Sequence, residues 1–291
     1  MRPGCRRRGR GHGACSSCRA STPIGAWCGP SPPGARTSSR AGAGAGSTQT
    51  LPIEGSDRIM EVVSITGRYT LKPDPHSSHS VMLAWLGEGH GRRLLDVGAA
   101  DALLSRHLTE AGWRVTGIES DPALAEAGRA YCERMVVSDL DRDLPDFDTS
   151  FDAIVYGDVL EHLVDPLRTV RGLNRWLSPG GRVVVSVPNV AHLLIRLSLL
   201  VGRFDYFDRG ILDRTHLRFF TDRSLRRLLG AAGLVIVRRT ATAVPLYQVT
   251  PVAWHGRVLA AVHAVSAAFS RMFPRLLAYQ FVVAAERGTW P

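Results

Sequence analysis

Leu94-Leu95-Asp96-Val97-Gly98-Ala99-Ala100-Asp101-Ala102 decides how this chain folds, together with Glu119 at the end of the next apolar run. It reads as a buried strand, a tight turn and a helix start, with an acid about 20 residues further on. That layout places a nucleoside at the carboxyl edge of a parallel sheet. The turn carries Gly98 but has Ala100 and Ala102 where a dinucleotide fingerprint asks for further glycines.

Working outward, short apolar runs alternate with helical stretches. Strands are expected at Arg93–Val97, Arg114–Ile118, Met135–Val137, Phe151–Tyr156, Arg182–Val187, Leu234–Arg238 and Gln280–Ala284. Helices are expected over Asp101–Ala111, from Pro122 onward, over Pro166–Leu177 and over Asp222–Ala232. Pro122 suits a first helical turn, and Thr221 and Gly233 suit the two ends of the last helix. Ser178-Pro179-Gly180-Gly181 reads as a hard turn. Strands separated by helices call for a mostly parallel sheet covered on both faces. The unbroken Val183-Val184-Val185 suits a strand buried on two sides.

Asp96, Gly98 and Ala100 after the first strand, Glu119 and Ser120 after the second, Asp139 and Leu140 after the third, and Gly157 and Asp158 after the fourth all fall on one edge of that sheet. Open α/β sheets bind ligands there. An acid ending the second strand suits the paired hydroxyls of a ribose, and one after the third can accept from an exocyclic amine. No phosphate cradle is present, because a pyrophosphate needs several backbone amides that extra Cβ atoms obstruct. An adenosine carried by a sulfonium meets the pattern better.

Five segments resemble the successive motifs of class I S-adenosylmethionine-dependent methyltransferases. They are Leu94–Gly98, Gly117–Glu119, Phe151–Val155, Asp158–Leu163 and Leu177–Gly181. The Leu160-Glu161-His162 segment resembles the ubiquinone-biosynthesis-like branch. Gly202–Phe204, Gly210–Asp213 and Thr215–Thr221 are similar to a pattern in bacterial members. The resemblance covers about residues 76–240 and the final strand. It implies a Rossmann-like sheet of seven strands with the last antiparallel, S-adenosylmethionine as cofactor, and methyl transfer to a small-molecule or lipid- or glycan-type acceptor at oxygen. The family pattern has glycine where Ala100 and Ala102 stand. Two rivals remain: an NAD-dependent oxidoreductase, and a non-catalytic nucleoside-binding module.

The candidate catalytic residues are His162 and His216. If their segment is helical, Asp158, Glu161 and His162 share one face, and His162 can take a proton from a substrate hydroxyl. Resemblance to quinone O-methyltransferases would permit the same trio to hold a divalent cation, although no metal ligands are assigned. A histidine that only packs against the adjoining loop is the plain alternative. His216 lies in an insertion expected to overhang the pocket, with Arg218, Phe219 and Phe220 beside it.

Segments 190–220 and 245–277 fall outside the strand–helix rhythm and are read as lids, substrate-binding elements or partner surfaces. Val190–Val201 and Val258–Ser270 are strongly apolar. They suit a lid over a lipid-like acceptor with peripheral membrane contact, or helices packed on the domain or on a second subunit.

The formal charge of +10 does not make this a nucleic-acid protein. Residues 1–50 hold eight arginines and no acid, which leaves 10 − 8 = +2 for the rest. The Gly-, Ser- and Arg-rich segment 1–55 is expected to be disordered. It reads as a transit peptide, a nucleic-acid arm, or a start codon placed upstream of Met60. The last is favoured, as Lys72 is the only lysine in an arginine-rich chain. Cys5, Cys15, Cys18 and Cys28 lie in this segment and are expected to be unpaired thiols. Cys132 alone sits in the 60–291 methyltransferase domain, which argues for a reducing, cytoplasmic location.

Overall fold

The computed structural model describes residues 74–288. The expectations for residues 1–55 and their four cysteines fall outside them. The strands are β1 (Arg93–Val97), β2 (Arg114–Glu119), β3 (Arg134–Val137), β4 (Phe151–Gly157), β5 (Leu177–Pro188), β6 (Leu234–Ala241) and β7 (Gln280–Arg287). They form one sheet in the order β3-β2-β1-β4-β5-β7-β6. The first five run parallel to one another, and β7 runs antiparallel to both β5 and β6. The helices are α1 (Ser78–Leu86), α2 (Leu103–Glu110), α3 (Pro122–Gly128), α4 (Pro166–Asn174), α5 (Leu193–Leu200), α6 (Asp222–Ala231), α7 (Leu246–Val249), α8 (Arg257–Met272) and α9 (Pro274–Leu277).

Alternation along the strands explains why their sequences look uniformly apolar. Leu95, Val97, Val183, Val185 and Val187 enter the cluster on one face of the sheet. Leu94, Val115 and Val184 enter the cluster on the other. Each such fully buried side chain contributes roughly 1.5–3 kcal/mol, so both faces need helical cover.

Several element boundaries differ from expectation. α2 starts at Leu103 because Ala102 stands at φ 60°, a left-handed conformation that cannot continue a helix. α4 stops at Asn174, and Leu177 instead pairs with Phe151 at the head of β5. Ser178–Gly181 is then a register shift inside the β4–β5 ladder, with Gly180 at φ 74° supplying the bend. α1 was not anticipated; the Ser77 hydroxyl caps it by accepting from the Ser80 N–H at 3.2 Å.

Residues 190–220 leave β5 and return as a closed excursion. The Val190 N–H donates to the Phe220 carbonyl at 2.9 Å. The buried Asn189 amide donates to the Ala278 carbonyl at 2.9 Å and fixes the base of the excursion. Among the described residues, no helix is long and apolar enough to cross a membrane.

Candidate active site

The sheet order reverses where β1 lies beside β4, and this is where open α/β sheets leave a crevice. Asp96 is 3 % exposed and accepts from the Ser105 hydroxyl at 2.6 Å. Burial pushes its carboxyl up to about 6, with the nearby Glu119 charge adding to the rise and the Ser105 bond opposing it. Glu119 bridges two loops. One carboxylate oxygen accepts from the Ala100 N–H at 2.9 Å; the other accepts from the Ser120 and Asp121 N–H groups at 2.8 and 2.9 Å. The Ser120 hydroxyl lies 3.2 Å from that second oxygen.

The first turn is left-handed at three positions: Gly98 at φ 70°, Ala100 at 51° and Ala102 at 60°. Gly98 is obligatory for packing as well, since a Cβ there would meet Val159 Cγ2 at 2.5 Å. Ala102 is fully buried, and a Cβ on Gly128 of α3 would meet its methyl at 2.8 Å. The side chain at 102 is therefore accommodated by the missing one at 128. Asp139 is exposed and pairs with Arg142 at 3.2 Å, while Leu140 beside it is buried.

These residues suit an adenosine without phosphates. Among the described residues, no ion pair reaches Asp96 or Glu119, and the Ala100 N–H of the turn is taken by the Glu119 carboxylate, so the turn presents negative charge where a pyrophosphate would need free backbone amides.

Asp158 is also left-handed, at φ 56°. Its carboxylate accepts from the Ser186 hydroxyl at 2.6 Å and from the Gln280 amide at 2.8 Å. The condition under which Asp158, Glu161 and His162 would share one helical face is not met. Only Leu160–His162 makes a single 3-10 turn, and Leu163 after it is extended. Asp158 is held toward β5 and β7 instead.

A different trio comes together. A carboxylate oxygen of Glu161 and one ring nitrogen each of His162 and His216 lie within 4.8 Å of one another. The two imidazoles meet edge to face, with centroids 4.9 Å apart. The N–H groups of Leu217 and Arg218 donate to the Glu161 carbonyl at 2.8 and 2.9 Å, and the Arg218 guanidinium donates to the Val164 carbonyl. The 190–220 excursion is thereby fastened across the 3-10 turn.

The Nδ1 of His162 lies 3.2 Å from the Thr215 carbonyl, and that of His216 lies 3.1 Å from the Ile211 carbonyl. A carbonyl only accepts, so both Nδ1 atoms carry a proton, and in the neutral imidazole the lone pair is on Nε2. Burial holds the His216 pKa below its ordinary value; the Ile211 bond opposes this and the neighbouring His162 reinforces it. Next to His216 stands an aromatic group. Phe219 is 6.4 Å from the His216 ring and 5.7 Å from Phe204, which in turn contacts Tyr206.

Sequence reasoning missed Ser105, Ser186, Gln280, Phe204 and Tyr206. Ser186 and Gln280 did carry a signal, as polar residues inside the apolar runs of β5 and β7 that are buried to 5 % exposure or less. Two cavities, of about 380 and 420 Å³, are lined by other residues.

Residues 73–239 match the methyltransferase-domain family. The ubiquinone biosynthesis O-methyltransferase of Aeromonas salmonicida is 28 % identical over 176 residues, covering 55 % of this chain and 72 % of that protein. The enzyme of that name from Xanthomonas campestris pv. campestris is 36 % identical over 135 residues, and the match spans about half of it, 54 %. A crystal structure of an S-adenosylmethionine-dependent methyltransferase from Mesorhizobium loti shares the fold. Its TM-score is 0.52 at 19 % identity, over 72 % of this chain and 98 % of that one.

Proposed function

We propose that this chain, which belongs to the class I S-adenosylmethionine-dependent methyltransferases, methylates a hydroxyl oxygen of a small-molecule or lipid- or glycan-type acceptor. Family membership sets aside the oxidoreductase and non-catalytic readings. When bound, S-adenosylmethionine supplies an electrophilic methyl group on a sulfonium. Asp96, Gly98, Ala100, Glu119, Ser120, Asp139, Leu140, Gly157 and Asp158 would hold it.

The observation that carries the oxygen assignment is the imidazole pair. Each Nδ1–H is committed to a carbonyl, so each Nε2 is presented as a proton acceptor. Burial keeps His216 neutral at pH 7. Either Nε2 can take the acceptor's hydroxyl proton as the oxygen attacks, and the backbone bonds of the 190–220 excursion to the 3-10 turn hold the pair in place. The O-methyltransferase activity named for the two bacterial relatives supports the same atom. The aromatic group of Phe204, Tyr206 and Phe219 suits an acceptor with a flat ring.

A second reading uses the same atoms differently. Glu161, His162 and His216 have the spacing to hold a divalent cation, which would lower the hydroxyl's pKa. Transfer of a labelled methyl group to a catechol probe separates the two. Activity that survives chelation but is lost in His216→Ala supports the base. Activity lost on chelation and restored by magnesium or zinc supports the cation. A protein that binds S-adenosylhomocysteine but methylates only amine probes overturns the oxygen assignment.

A further inference from the structure

One side chain at the start of β7 has no part in the site as described so far. Because β7 runs antiparallel to β5, it begins where β5 ends, with Gln280 opposite Pro188. Its first residues therefore reach the carboxyl edge of the sheet, beside Asp158 and the base of the 190–220 excursion. Gln280 gives its amide to the Asp158 carboxylate at 2.8 Å. Tyr279, just before it, is fixed by its backbone. Its carbonyl accepts from the Asn189 N–H at 2.9 Å, and its N–H donates to the Thr242 carbonyl at 2.9 Å.

The phenol is placed against the excursion. Its ring meets the His192 ring edge to face, with centroids 6.4 Å apart. Its hydroxyl lies against Gly210, where a Cβ would come within 3.1 Å of it. Gly210 also stands at φ 101°, so backbone and phenol together call for glycine there. The next residue, Ile211, offers its carbonyl to His216 Nδ1 at 3.1 Å. Phenol and imidazole thus flank one dipeptide of the excursion. Among the described residues no hydrogen bond reaches the Tyr279 hydroxyl, and the residue is only half-buried, so a ligand can meet it. Burial, with the Asp158 charge adding to it, pushes the phenol up to about 12, so it is a donor at neutral pH. The same Asp158 charge acts on His216.

On the reading that a histidine deprotonates an acceptor hydroxyl, we propose that the Tyr279 hydroxyl holds the acceptor by donating a hydrogen bond to a second oxygen, one that is not methylated. Chemistry separates the two oxygens. A donor on the attacking oxygen would tie up a lone pair that must reach the methyl group, whereas an imidazole Nε2 removes that oxygen's proton. The productive place for a phenol that keeps its proton is therefore a neighbouring oxygen. Tyr279 then sets specificity. An acceptor with the second oxygen gains a bond, and one without it leaves the hydroxyl unpaired.

Tyr279→Phe removes the hydroxyl and keeps the ring against His192. Parent and variant are compared on catechol, which carries a second oxygen, and on phenol, which lacks it. The parent should prefer catechol in kcat/KM. Tyr279→Phe should reduce that preference by about three- to tenfold, mostly through the KM for catechol. Calorimetry on the S-adenosylhomocysteine complex should show catechol affinity falling by a similar factor, with no methyl transfer involved. Equal losses on both probes would make Tyr279 a packing residue and overturn the proposal. So would a catechol preference that the variant retains in full. Methylation of amine probes alone would instead bring down the oxygen assignment, and this role of Tyr279 with it.

Discussion

The two halves of the proposed active site are built from different materials. The cofactor edge is made of neighbours: Asp96, Gly98, Ala100, Glu119 and Asp121 lie within one β-α-β unit, where the Glu119 carboxylate accepts from backbone N–H groups and the Asp96 carboxylate from the Ser105 hydroxyl. Three alternate positions of the turn, 98, 100 and 102, are left-handed. The acceptor half joins His162 to His216, 54 residues apart, through carbonyls of an excursion fastened at its ends. The first half is a rigid socket; the second is a pair of reactive groups pinned by a loop. Damage to one should therefore appear in affinity, and damage to the other in turnover.

The largest effect is expected from Glu119→Ala. Removing the carboxylate leaves the N–H groups of Ala100, Ser120 and Asp121 without an acceptor and removes the proposed ribose ligand. Charged hydrogen bonds contribute roughly 1.5–3 kcal/mol each, so affinity for S-adenosylhomocysteine should fall by about a hundredfold or more in calorimetry. Wild-type affinity in that variant would remove Glu119 from the socket.

His162→Ala and His216→Ala test the other half. General-base loss should lower kcat by about 10²–10⁴ with cofactor affinity unchanged. The pH profile sharpens the assignment between the two. His216 is held below its ordinary value of 6.5, so its Nε2 remains basic at neutral pH. Activity carried by His216 should fall on acidification with a midpoint below 6.5, and His216→Ala should remove that limb. A limb unchanged in His216→Ala would assign the base to His162.

The contrast between the halves also sets what the sequence could reveal. Asp96, Gly98 and Glu119 were legible because a strand, a turn and a helix start place them by local geometry alone. Whether Asp158, Glu161 and His162 share one helical face could not be read from their spacing, because the force that breaks the helix is distant. Ser186 and Gln280 draw the Asp158 carboxylate from 28 and 122 residues away and leave its backbone at φ 56°. The end of α4 failed for a similar reason: Leu177 has helix-compatible chemistry, but pairing with Phe151 across the sheet claims it for β5. His216 could be nominated from its insertion, whereas its contact with His162 is a tertiary fact with no local pattern.

Within the socket, Asp96→Asn should separate stability from binding. The folded carboxyl is raised from 3.8 to about 6, so its contribution to stability is full below pH 3.8 and is lost as pH rises through about 6. Asparagine can still accept from Ser105 and carries no charge to desolvate. The variant should be more stable than the parent at pH 8, by on the order of 2–3 kcal/mol if nothing else relaxes, and the gap should close by pH 4. Cofactor affinity should fall in the same protein. Equal denaturation midpoints at both pH values would show that Asp96 is not held out of water as the structure has it.

The smallest effects test whether the turn's alanines are strained. A left-handed alanine costs about 1–2 kcal/mol, and glycine relieves that while losing about 0.5–1 kcal/mol to its freer unfolded chain. The surroundings then decide the sign. Ala100 is only half-buried, so Ala100→Gly forfeits little contact and should stabilise by up to about 1 kcal/mol. Ala102 is fully buried against Gly128, so its methyl contributes about 0.8 kcal/mol that Ala102→Gly would forfeit. That change should come out close to neutral despite the same φ. Urea denaturation can resolve the two. A larger gain at 102 than at 100 would mean that the Ala102 methyl is crowded by Gly128 and not accommodated by it, and that the socket is strained at its helix entry, not at its rim.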